Sequence, residues 1–173
     1  MPHPMKLSTM QTTMNKPTIE EILAPRPEAK PRIYVYTLES GKARALTGPG
    51  YLHPSYSPDG RYLAATRTSA FGTDVVILDA ATGGELLRIT DDGDSWGPTW
   101  SPAGNQLAYL HVEGQVVDLR MAQLEGSAPA WTLGATADLT TNAGLDSRSR
   151  PDWFIPEDQL PAPTEAPAGS TVP

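Results

Sequence analysis

The chain has 173 residues, no cysteine, 18 prolines and 15 glycines, and its 13 Lys plus Arg face 20 Asp plus Glu for a net charge of −7. That length holds one domain of ordinary size. The missing thiols exclude disulfide scaffolds and thiolate metal sites, and the acidic balance excludes a general phosphate-backbone binder, since neutralising phosphates takes a surplus of Lys and Arg. No nucleic acid is expected as a partner, and no run approaches the roughly 18 apolar residues of a membrane span, so no membrane insertion is expected either.

Residues 1–31 mix Met, Thr, Pro and Lys and carry only a single candidate helical turn, Ile19 to Leu23 with Thr18 as its cap, which predicts a flexible N-terminal segment. The first 44 residues have a charge balance of +3 and the remainder −10. This front lacks the apolar core of an export signal, so the chain as it stands is expected in the cytoplasm.

From residue 32 to 155 the pattern changes to short apolar runs separated by turn residues. Ile33 to Leu38, Asp74 to Asp79 and Val116 to Met121 are β-branched and nearly continuous in apolarity, as expected for strands covered on both faces. Tyr62 to Arg67 and Gln106 to His111 read as the strands before them. Glu85 to Thr90 reads as a charged outer strand. Tyr56 and Trp100 fall in short first strands that follow a proline. Ser57, Pro58, Asp59 and Gly60 then supply Ser at i, Pro at i+1 and Gly at i+3 of a turn, which accounts for Asp59 without catalysis. Residues 156–173 hold five prolines among Ala, Thr and Glu and are expected to be a disordered tail.

The middle repeats itself. Pro54 to Ala65 aligns without a gap on Pro98 to Tyr109, with Ser57 falling on Ser101 at an offset of 44. The turn glycines Gly41, Gly83 and Gly126 follow at spacings of 42 and 43, as do the pairs Leu46-Thr47 and Ile89-Thr90; a third pair, Leu139-Thr140, comes 50 residues later. Pro151, Asp152 and Trp153 echo Pro98, Thr99 and Trp100 as the start of a further unit. Four short strands every 40 to 45 residues define a propeller blade. The fold expected is all-β, a partial, open β-propeller of two to three four-stranded antiparallel blades, too few to close a ring.

The segments YSPDGRYLAA and WSPAGNQLAY, with DVVILDAATGGELLRIT between them, resemble the TolB-like or PD40 type of WD40-related propeller repeat over about Ile33 to Trp153. The chain departs from that pattern at Ala103, where the repeat usually has Asp, and at Phe154 to Asp158, where the expected turn motif decays into FIPED. The resemblance implies a six-bladed ring, often exported, that binds other proteins or gates a serine peptidase. On that ground the compartment would be periplasmic or extracellular if a signal precedes these residues.

No G-x-S-x-G elbow is present. His53, expected in the loop before Pro54, and His111, expected at a strand end, are not placed beside a common serine by the repeat and read as loop or surface residues. Asp91, Asp92, Gly93 and Asp94 open like a calcium loop, but the twelfth residue is Pro102 rather than Glu, so the run reads as a solvated interblade loop and no metal is expected. Trp100 and Trp153 recur and are expected in the core. Trp96 lies beside the acidic loop at an expected rim, and with His53, Asp92 and Asp94 it forms the candidate interaction surface. The function expected is a non-enzymatic module for protein–protein interaction without a cofactor. Its partner would be another protein, or a second copy completing the ring. The alternative is the gating or substrate-access fragment of a serine peptidase or another propeller-bearing enzyme.

Overall fold

Turns that fall every few residues, with β-branched runs between them, leave room only for short antiparallel strands. The computed structural model describes residues 30–154, among which there are ten strands and no helix. They are β1 (Tyr34–Thr37), β2 (Lys42–Ala45), β3 (Tyr51–Tyr56), β4 (Tyr62–Ser69), β5 (Gly72–Asp79), β6 (Glu85–Arg88), β7 (Ser95–Trp100), β8 (Gln106–Glu113), β9 (Val116–Glu125) and β10 (Thr132–Asp138). The candidate helical turn and the proline-rich tail lie outside the described residues. Three antiparallel sheets result: a two-stranded half-blade β1–β2, a second blade in the order β3-β4-β5-β6, and a third in the order β10-β9-β8-β7. The half-blade corresponds to the outer two strands of a full blade, as the sequence expectation for Ile33 to Leu38 requires.

Hydrogen bonds carry the repeat. The Gly60 N–H donates to Ser57 O at 2.8 Å and the Tyr62 N–H to Ser57 Oγ at 3.0 Å; Gly104 and Gln106 do the same to Ser101, at 2.9 and 3.1 Å. Where Ala103 replaces Asp59, the Ser101 hydroxyl turns to Asn105 at 3.3 Å. The Leu-Thr pairs have an equally plain purpose. Thr47, Thr90 and Thr140 accept the N–H of Ile33, Val75 and Leu119 on their hydroxyls at 3.1, 2.9 and 2.9 Å. Each staples the end of an outer strand to its neighbour.

Alternation along β4 and β5 builds two cores. Tyr62, Ala64, Val75 and Ile77, with Ile89 of the same blade, face the third blade, where they meet Trp100, Leu107, Tyr109, Ala122 and Leu124. Leu63, Ala65, Val76 and Leu78 face the half-blade and meet Ile33 and Leu46. Val75 to Leu78 are wholly buried, as expected of a strand covered on both sides. Trp131, in the connection after β9, caps the first core: its ring lies edge-on to Tyr62 at 4.6 Å and tilted against Trp100 at 5.7 Å. Gly83 (φ +75°) lets the second blade approach the half-blade, since a Cβ there would collide with the carbonyl oxygen of Leu46.

Candidate interaction site

Each blade's first strand is an edge that carries a proline, and prolines are tolerated at edges and bulges. β3 and β7 both break register, between Leu52 and Ser55 and between Trp96 and Thr99. His53 (φ 52°) and Gly97 (φ 64°) take the left-handed conformation there, 44 residues apart. His53 is thus inside a strand and part-buried, not in a loop: the bulge that absorbs Pro54 lets pairing begin at Tyr51. The wholly buried Thr66 joins the two bulges. Its hydroxyl accepts the Gly97 N–H at 2.9 Å and lies 3.3 Å from His53 Nδ1. Burial lowers the His53 pKa, and the nearby Arg150 charge lowers it further.

The residues after β10 run back across these first strands. The Leu145 N–H donates to Val117 O at 2.9 Å, Trp96 Nε1 to Ser147 O at 3.0 Å, Arg150 Nη2 to Pro54 O at 3.1 Å and Trp153 Nε1 to Thr99 O at 3.4 Å. Pro151 to Trp153 therefore form no strand among the described residues, and the expected new unit is instead a strap on the third blade. Trp153 is only part-buried, unlike Trp100, because no second-strand partner flanks it.

Asp92 and Asp94 lie in the exposed β6–β7 connection, but Asp92 is not simply solvated. It accepts the Asp94 N–H at 2.9 Å and the Ser95 hydroxyl at 3.1 Å, and sits 3.3 Å from His111 Nδ1. His111, only 7% exposed, is a core residue and not a surface one. It faces Ser95 across the β7–β8 pair, with Nδ1 and Ser95 Oγ 3.0 Å apart. The repeat thus does place a histidine beside a serine, a pairing visible only once register is known. Serine and aspartate nevertheless crowd the same ring nitrogen, whereas a nucleophilic triad needs them on opposite ones. Ser95 is also wholly buried. No hydrogen bond joins His53 or Trp96 to either aspartate among the described residues, so the four candidates do not converge on one pocket.

The feature that sequence reasoning missed lies at the half-blade. Tyr34 and Tyr36 are 62% and 60% exposed on β1, whose far edge has no partner strand among the described residues. Tyr56 is 54% exposed where its repeat mate Trp100 is 5% exposed. The two occupy the same register, opposite Leu63 and Leu107. They differ because, among the described residues, Trp100 faces a four-stranded sheet and Tyr56 a two-stranded one.

Four-stranded antiparallel units repeating at 44 residues and packed face to face through two cores make the chain a partial β-propeller. Its blades have the TolB-like form. The chain superposes on a protein assigned as TolB from Agrobacterium tumefaciens with a TM-score of 0.53 and 23% identity, covering 63% of this chain and 40% of that one. For TolB from Acinetobacter baumannii the TM-score is 0.46 at 18% identity over 67% and 37%. For the β-propeller domain of the Trilobed protease from Pyrococcus furiosus it is 0.39 at 11% over 63% and 48%. The chain thus spans less than half the length of each. No protein-family model and no curated protein matches it.

Proposed function

We propose that this chain is a non-enzymatic propeller module that binds another protein, and that the partner adds strands to the edge of β1 that is unpaired among the described residues. The observation that supports this most is the contrast between exposed Tyr56 and buried Trp100, together with the edge of β1 that has no partner among the described residues. An unpaired strand edge beside exposed aromatics is a template for strand addition. The Ser95, His111 and Asp92 geometry supports a structural and not a hydrolytic use of those groups. Of the rim residues, His53, Asp92 and Trp96 have intramolecular partners, while the Asp94 carboxylate has none among the described residues and forms a secondary contact.

The test is the double variant Tyr34→Glu/Tyr36→Glu, whose side chains already face solvent. It should keep the wild-type melting temperature yet lose the partner captured from native extract. Sedimentation should separate a foreign partner from a second copy. Undiminished capture by the variant, or turnover of an ester or peptide substrate by the purified chain, would overturn the reading.

A further inference from the structure

Where the β3–β4 turn of the second blade meets the β7–β8 turn of the third, a cleft of about 350 Å3 opens, closed on its remaining side by the β9–β10 connection. We propose that this cleft binds a neutral sugar ring stacked on Trp131, with one sugar hydroxyl accepting the indole N–H of Trp100. Among the described residues, Trp100 Nε1 is the one buried side-chain polar atom without a hydrogen-bond partner, and Trp100 is only 5% exposed. It stands just behind the cleft. Trp131 lines the cleft and is tilted against Trp100 at 5.7 Å, and Tyr62 and Leu124, also in the wall, pack in the same core as Trp100. An unmatched buried N–H costs about 1–3 kcal/mol, so the site favours an occupant that brings an oxygen to it. Trp131 belongs to no strand and is half-buried. Its ring is therefore the movable part of the wall, and a small tilt opens the path from the cleft to the Trp100 N–H.

The wall selects the class of ligand. The Asn105 amide nitrogen and the Ser127 hydroxyl line the cleft and make no hydrogen bond among the described residues, while Asn105 Oδ1 accepts only the Ser101 hydroxyl, at 3.3 Å. The rim thus offers donors and acceptors together, and hydroxyl groups answer both roles. The indole face of Trp131 carries negative π density, which suits the C–H groups on one side of a sugar ring. Charge argues against an ion. The single carboxylate in the wall, Asp59, is already taken up by the Ser57 hydroxyl at 2.6 Å and Arg61 Nε at 2.7 Å. On the third blade Ala103 stands at the place of Asp59, so no second carboxylate enters. A proline-rich segment also seeks indoles, but its prolines have no N–H to give the acceptors of this rim. The volume suits one monosaccharide unit.

The experiment follows the indole N–H resonances of the nitrogen-15-labelled full chain by nuclear magnetic resonance. Methyl β-glucoside, methyl α-mannoside and methyl N-acetyl-β-glucosaminide are added in turn, with N-acetyl-tetraproline amide and inorganic phosphate as controls. At least one glycoside should move the Trp131 and Trp100 signals saturably in the millimolar range, the Trp100 proton downfield as it gains an acceptor. Trp96 and Trp153, outside the cleft, should hold still. Asn105→Ala, at an exposed position, should weaken binding about two- to tenfold at an unchanged melting temperature. Trp131→Ala should lose binding, whereas Trp131→Phe, which keeps an aromatic platform, should retain it within about tenfold, separating lost stacking from lost folding. No saturation by any of the three glycosides at tens of millimolar would overturn the proposal. So would a Trp100 proton that does not move, wild-type affinity in Asn105→Ala, or tighter binding of tetraproline or phosphate. The β1 edge is untouched by these variants, so failure here and failure of the docking reading are separate results.

Discussion

A single hydroxyl ties the two bulged first strands together. Thr66→Val keeps the shape but leaves the Gly97 N–H without an acceptor, at a cost of about 1–3 kcal/mol. A urea midpoint lowered accordingly, and largely restored in Thr66→Ser, is the expected result. Because the folded state lowers the His53 pKa below 6.5, the unfolded chain takes up that proton first. The stability owed to neutral His53 is complete above that value and is lost as pH falls through the lowered folded one. In His53→Asn, which tolerates the left-handed backbone, that part of the pH dependence should vanish from denaturation curves. Asp59 shifts in the same direction, but there the fold favours the charged form. The Ser57 hydroxyl and then Arg61 hold its carboxyl at about 2, so Ser57→Ala should move its titration midpoint up toward 3.8, read from carboxyl carbon shifts.

Among the elements, the Thr staples and the glycine contact decide how blades hold together. Thr90→Val removes the acceptor of the Val75 N–H at the end of β5 and should cost about 1–3 kcal/mol in chemical denaturation. Gly83→Ala adds a Cβ where the half-blade carbonyl of Leu46 already sits, in a left-handed backbone besides, and should cost about 1–3 kcal/mol. The strands themselves were legible because each signal was local: the Ser-Pro turn, the Leu-Thr pair and the apolar run at Val75 each name one hydrogen bond or one buried face. What stayed hidden depends on register and on distant chain. His111 meets Ser95 only through antiparallel pairing, Trp131 reaches Tyr62 from an irregular connection, and the strap is held by backbone carbonyls that no residue type announces. The candidate site was legible in part, since sequence marks Trp96 and Asp92 as polar-loop neighbours but cannot show that Ser147 and His111 already engage them.

For the whole molecule, a repeat array owes its stability to neighbouring interfaces, and a unit lacking one neighbour opens first. The half-blade touches one core, the second blade two. Amides of β1 and β2 should therefore exchange with deuterium far faster than those from Val75 to Leu78, and partner binding at the β1 edge should slow them selectively. Equal exchange in both regions would count against the incomplete-blade account.

The indoles of Trp100 and Trp131, 5.7 Å apart and inclined by 47°, bring one more consequence. Two chromophores so close and so oriented couple their ultraviolet transitions into a bisignate circular-dichroism band. Trp131 hangs from the outer connection of the third blade and rests on Tyr62 of the second, so the couplet survives only while those two sheets stay seated on each other. The chain thus carries an intrinsic optical gauge of its own blade-to-blade seam, readable without any label.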